Sequence, residues 1–164
     1  MRAIRVRHAV FLTLAAVAPG CGSIHGGPPK PDPAVITHRV YTFMLCQECI
    51  GGERADVVAL GNSAVPLLRS TLLAGPPPDQ IARLTQTLST PARPLHSAPS
   101  QATIDLQIAD FDAMYRVRAV DGLAAIGGDD ARHALCAGKT TPALRQRIYS
   151  KIDTALARIG GACP

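Results

Sequence analysis

The chain has 164 residues, enough for one domain with a modest core, and with three phenylalanines, three tyrosines and no tryptophan that core falls to Leu, Ile, Val and Ala. The formal charge of +5 overstates its basicity: Arg2, Arg5 and Arg7 stand at the extreme N-terminus, and without them 14 basic residues face 12 acidic ones. There is no basic block and no arginine stripe interleaved with aromatics, so nucleic acid is excluded as an expected partner, because phosphate binding needs clustered positive charge.

The N-terminus reads MRAIRVRHAVFLTLAAVAPGCG. Three arginines precede an apolar run of ten residues, 9–18, broken only by Thr13, and small residues then lead to Cys21. This is the layout of a secretory signal, and it is too short for a transmembrane helix, which needs about 20 apolar residues. Residues 1–20 are read as a signal peptide and the chain as exported. The run Val17-Ala18-Pro19-Gly20-Cys21 resembles a bacterial lipobox, in which the signal is cut before a cysteine that then carries lipid. Pro19, and the aliphatic residue at 17 instead of 18, depart from the usual pattern. The resemblance implies lipidation of Cys21 and anchoring to a bacterial membrane, facing the periplasm or the cell surface; the alternative is plain cleavage near Ala18 or Gly20. Residues 21–33, with "GSIHGGPPKPDP", form a Gly/Pro linker that cannot pack a core and serves as a tether.

Residues 34–164 read as one helical domain. Val35, Ile36, Val40, Phe43 and Met44 recur at three- and four-residue steps, which predicts a helix, and "IGG" at 50–52 stops it. Residues 53–60 predict a short helix with Ala55, Val58 and Ala59 on its buried side, closed by Gly61. Asn62 or Ser63 is the expected cap of the next, with Pro66 in its first turn and Val65, Leu68, Leu72 and Leu73 along one face. "GPPP" at 75–78 is a break, and Asp79 is the expected cap of a helix running to Leu88. Residues 89–100, with three prolines, are a Pro-rich loop, long for a compact domain.

The last third predicts one long helix over 103–126, or two with a bend near Asp110 to Asp112, ended by Gly127-Gly128. Asp129 is the expected cap of a short helix, 131–137. Thr141 is the expected cap of a last one, along which Leu144, Ile148, Ile152, Leu156 and Ile159 fall at nearly regular intervals. No stretch alternates long enough for a strand, and the fold class is all-α. The expected core includes Leu68, Leu72, Val120, Leu123, Ile126, Ile148 and Ile152.

Two segments share a grammar: "ADVVALGNSAVPLLRSTL" at 55–72 and "RAVDGLAAIGGDDARHAL" at 118–135. Each reads as an amphipathic helix, a glycine, a polar residue, an alanine and a second apolar helix, and "LARIGG" at 156–161 begins the phrase again. These segments resemble HEAT repeats, particularly the short bacterial type related to the bilin-lyase repeat. The resemblance implies an α-α superhelix, a short solenoid of antiparallel helix pairs, with a partner-binding surface. One helix pair cannot bury its apolar face alone, so neighbours must stack. Some members of the family act on tetrapyrrole-bearing proteins, but no residues here match such an activity.

With Cys21 set aside, Cys46, Cys49, Cys136 and Cys163 remain, an even number that suggests disulfides in an exported chain. A Cys136–Cys163 bridge would close a loop of about 27 residues, worth on the order of 3 kcal/mol. Cys46–Cys49 would close a tiny loop with a smaller gain, and cross-pairing is the other possibility. In CQEC the residue after the second cysteine is Ile50, which excludes a c-type haem. Zinc would need two further ligands, and His25, His38, His96 and His133 are scattered. A thioredoxin-like redox pair would need a strand before it. The pair reads as a staple at a helix junction, with a thiol–disulfide oxidoreductase using Cys46 and Cys49 as the alternative. Glu48 and Glu53 flank "CIGG" as further cap candidates. Asp105, Asp110 and Asp112 read as a solvated helix face, Arg116 and Arg118 as their surface partners, and His133 as a surface residue. No catalytic residue, metal or cofactor is expected. The expected function is that of a protein-interaction or scaffold module, with an envelope protein as partner and the membrane held through the N-terminal lipid.

Overall fold

A computed structural model of the chain describes residues 30–46, 51–90, 99–144 and 148–163. The expected signal peptide 1–20, Cys21, most of the linker 21–33, Glu48, Cys49 and most of the loop 89–100 lie outside the described residues.

Helix α1 (Pro33–Leu45) starts where the proline-rich linker meets Asp32. Asp32 Oδ1 accepts from the Ala34 amide at 2.7 Å, and Pro33 takes a first-turn position where its missing N–H is no loss. After it come α2 (Gly52–Leu60), a 3₁₀ turn (Gly61–Ser63), α3 (Val65–Ala74), α4 (Pro78–Ser89), α5 (Gln101–Ile126), α6 (Gly128–Lys139), a second 3₁₀ turn (Pro142–Leu144) and α7 (Tyr149–Arg158). The described residues are thus all-helical, with no strand.

The Ser100 hydroxyl caps α5 by accepting from the Thr103 amide. No proline falls between residues 101 and 126, and α5 runs unbroken for 26 residues, without splitting near Asp110 to Asp112. It packs against all six other described helices. Tyr115, Ala119, Val120 and Leu123 of α5 join Val40, Phe43 and Met44 of α1, Leu68 and Leu72 of α3, Leu135 of α6 and Ile152 and Leu156 of α7 in one core. Each such aliphatic side chain contributes about 1.5–3 kcal/mol when fully buried. Leu68, Leu72, Val120, Leu123, Ile148 and Ile152 are buried as expected, and Ile126 packs half-buried at the margin. Gly138 lets α3, α6 and α7 meet: a Cβ there would stand 2.9 Å from both Ile152 Cδ1 and Leu72 Cδ2.

Three helices end on one phrase, an apolar pair three residues apart followed by glycine. Val57 and Leu60 precede Gly61, Leu123 and Ile126 precede Gly127, and Leu156 and Ile159 precede Gly160. The three glycines take positive φ, +52°, +69° and +69°, a conformation that a Cβ disfavours. Beyond the first two, Ala64 and Ala131 are fully buried, and so are Leu68 and Leu135 four residues on.

Several local expectations are corrected. On α2 the buried residues are Val57 and Leu60, while Val58 is 43% exposed and Ala55 and Ala59 are exposed. So many small apolar residues in nine positions permit two helical phases, and continuity with Ala64 of the core selects the other one. Asn62 and Ser63 lie in the 3₁₀ turn, Asp79 and Asp129 sit inside first turns, and none makes a side-chain cap bond. Acidic residues in a first turn are still favoured by the helix dipole. Glu53 likewise sits in the first turn of α2, behind Gly51. Thr141 donates its hydroxyl back to the Ala137 carbonyl instead of capping forward. The last expected helix begins as the 3₁₀ turn, and α7 starts only at Tyr149, with Ile148 at φ −123° ahead of it. The four-residue spacing survives because Ile148 donates its amide to the Leu144 carbonyl and Ile152 to that of Ile148.

Candidate functional site

Cys136, near the end of α6, and Cys163, beyond α7, form a disulfide with Cα atoms 5.4 Å apart. α6 and α7 pack on each other, and the residues after α7 run back along α6, from Gly161 beside Arg132 to Cys163 at Cys136, so that the bond fastens the C-terminal residues to the core. Gly161 lies against the stem of Arg132 on α6, so that any Cβ there would come within 3.0 Å of Arg132 Cγ. Cys46 follows the last turn of α1 and is disulfide-bonded. Since Cys136 and Cys163 hold each other, the partner of Cys46 falls outside the described residues, as do Cys21 and Cys49. Among the described residues no group of three or more His, Cys, Asp or Glu side chains could hold a metal ion.

The surface position that the sequence pattern predicts for Arg116 is corrected: its side chain is only 14% exposed. Nε donates to Asp112 Oδ2 at 2.9 Å, and Nη1 donates to the carbonyls of Leu72 and Leu73 at 2.8 Å each. These are carbonyls of the last turn of α3, which its own helix leaves without partners. Gly75, at φ +84°, closes α3 directly against this ion pair, and a Cβ there would overlap Asp112 Oδ1 and stand 2.7 Å from Arg116 Nη2. The arrangement locks α3 to α5. The sequence signal was the i, i+4 pairing of Asp112 with Arg116; the distant carbonyls could not be read from it.

The surface carries two open clefts that share Asn62. The first, about 760 Å³, runs along Lys30, Asp32, Ile36 and Ser63, where the tether enters α1. The second, about 310 Å³, lies between α3 and α6, with buried Val65 and Ala134 as its floor and Pro66, Arg69, Asp130 and His133 as its walls. Asp130 and His133 stand three apart on α6 and so share a face. Arg69 and Asp130 line the same cleft, yet neither forms an ion pair with any described residue. His133 is exposed, as expected of a surface residue, and takes its place in the cleft from the stacking of α6 on α3. A third hollow runs along the outer face of α1 past His38, Tyr41 and Leu45.

Among the described residues no single helix is long and apolar enough to cross a membrane. Comparison of the chain with protein-family models, with curated proteins and with solved structures finds no match.

Proposed function

We propose that the protein is an exported, lipid-anchored helical-repeat module that binds another protein of the cell envelope. The observation that carries this reading is the repeated helix ending: three helices close on the same phrase, and the first two lead into second helices with buried alanine and leucine at matching positions. On this reading α2 with α3 is one HEAT-like unit, and the C-terminal part of α5 with α6 is the next. The α7 helix begins a third, and α4 is an insertion. Stacked repeats of this kind present a groove between their second helices, here α3 and α6, where the polar-walled cleft lies. Cys21 supplies the lipid, and residues 22–32 the tether.

The test has three arms. Cys21→Ser in a bacterial host should move the protein from the membrane fraction to the soluble envelope fraction. Cross-linking in intact cells followed by purification should recover a specific envelope protein; repeated failure would sink the interaction reading. Insulin reduction should be silent, since turnover would reassign Cys46 and Cys49 to thiol–disulfide exchange.

A further inference from the structure

Helix α1 has two unlike sides. Val40, Phe43 and Met44 enter the core. At 100° per residue, Ala34, Val35, His38, Tyr41, Thr42 and Leu45 fall within an arc of about 120° on the other side. Val35 and Leu45 are 41% and 43% exposed, two of the four large apolar side chains left so open among the described residues. The face carries no carboxylate, and the Thr42 hydroxyl already donates to the His38 carbonyl at 2.9 Å. Asp32 caps the N-terminal end of the helix and Asp56 pairs with Arg39 at its flank, so both acids stand off the face. The outward sides of α5, α6 and α7, by contrast, expose Asp105, Asp110, Asp129, Asp130 and Asp153.

The point where the chain enters α1 says what lies near this face. With lipid on Cys21, only residues 22–32 stand between the bilayer and Pro33. Eleven residues reach about 36–40 Å at most, and a flexible chain of that length averages on the order of 20 Å. A domain of this size is roughly 35 Å across. Helix α1 is thus the first element held at the membrane. We infer that its outward face rests on the bilayer that carries the lipid, with Val35 and Leu45 at the boundary of headgroups and acyl chains and the Tyr41 phenol among the headgroups. Rings with a polar tip favour that depth, and a helix with one apolar side lies in the plane of the interface. The lack of carboxylates suits an anionic lipid surface. Two large aliphatic side chains are too few to hold a protein to a membrane by themselves. The lipid supplies the local concentration, and the face sets the orientation of the domain. The inference rests on the reading of the protein as lipid-anchored and adds which side of it meets the membrane.

The chain contains no tryptophan, so a single one reports on its own position. The full chain with Leu45→Trp is lipidated in a bacterial host, purified from the membrane fraction and placed in vesicles of phosphatidylethanolamine and phosphatidylglycerol. Its emission should shift to the blue and be quenched by brominated lipid. Leu106→Trp, at the 57% exposed position on α5, should show neither effect. Adding Val35→Asp to Leu45→Trp should abolish the quenching while the protein stays with the vesicles. These side chains are exposed, so circular dichroism of the variants should match the parent. Equal emission and quenching at positions 45 and 106 overturns the inference and leaves the lipid anchor standing. So does a blue shift that needs no vesicles and grows with protein concentration, the mark of a second copy on this face. A blue shift seen in whole envelopes and not in vesicles free of other protein overturns it too, and assigns the face to a protein partner. A chain with Cys21 intact that is absent from the membrane fraction removes the anchor and the inference together.

Discussion

Arg116 caps a helix to which it does not belong. Its guanidinium satisfies two terminal carbonyls of α3 from α5, and Asp112 balances its charge. Hydrogen bonds to a charged group contribute about 1.5–3 kcal/mol each at most, and truncation also leaves the carbonyls unmet. Arg116→Met is therefore expected to cost about 2–3 kcal/mol in urea unfolding. Gly75→Ala should cost at least about 1 kcal/mol, from positive φ and from the overlap with Asp112. Because the two residues touch, the double variant should cost less than the sum, and a double-mutant cycle measures the difference. Tyr115 poses the opposite case. Its side chain is fully buried and its hydroxyl has no hydrogen-bond partner among the described residues. Burial, with smaller contributions from Tyr41 and Asp79, pushes the phenol well above its usual value of about 10. The folded state then holds its proton where the unfolded state releases it, so stability is undiminished below about pH 10 and falls as pH rises beyond it. Tyr115→Phe should flatten that alkaline decline, and at pH 7 it should be neutral or stabilising by about 1 kcal/mol, since the orphaned hydroxyl is removed.

At the scale of elements, the Cys136–Cys163 bond joins the last turn of α6 to the residues beyond α7. The bond closes 27 residues of separation, and α7 packs on both α5 and α6 without it. Replacing both cysteines by serine is expected to lower stability by about 3 kcal/mol through the freed unfolded chain. Helical content by circular dichroism should be unchanged below the transition. A larger loss of helix in the untreated protein would mean that the bond, and not packing, holds α7 in place. The pairing illustrates what spacing can carry: four cysteines allowed three connectivities, and the return of residues 161–163 along α6 selected this bond. The phase of α2 had no such guide. Val57, Val58, Ala59 and Leu60 are all apolar, so periodicity alone could not say which of them face the core.

At the scale of the molecule, α5 is the common partner of every other described helix. Loss of α5 would expose the apolar faces of all of them at once. Equilibrium unfolding should therefore be a single transition, with far-ultraviolet circular dichroism and tyrosine emission giving coincident midpoints. Separate midpoints would indicate units that unfold independently, as in longer repeat arrays.

The all-helical class, the positions of the glycine stops and most of the core were legible in the amino-acid order, because helical period and left-handed glycine are local properties of the chain. So was the repeated phrase, since its copies differ little in length. The burial of Arg116, the choice of face on α2, the closing of Cys136 on Cys163 and the lining of one cleft by Arg69, Asp130 and His133 were decided only by tertiary structure. Each depends on residues far apart in the chain, and which of them become neighbours is set by the packing of the other six described helices around α5.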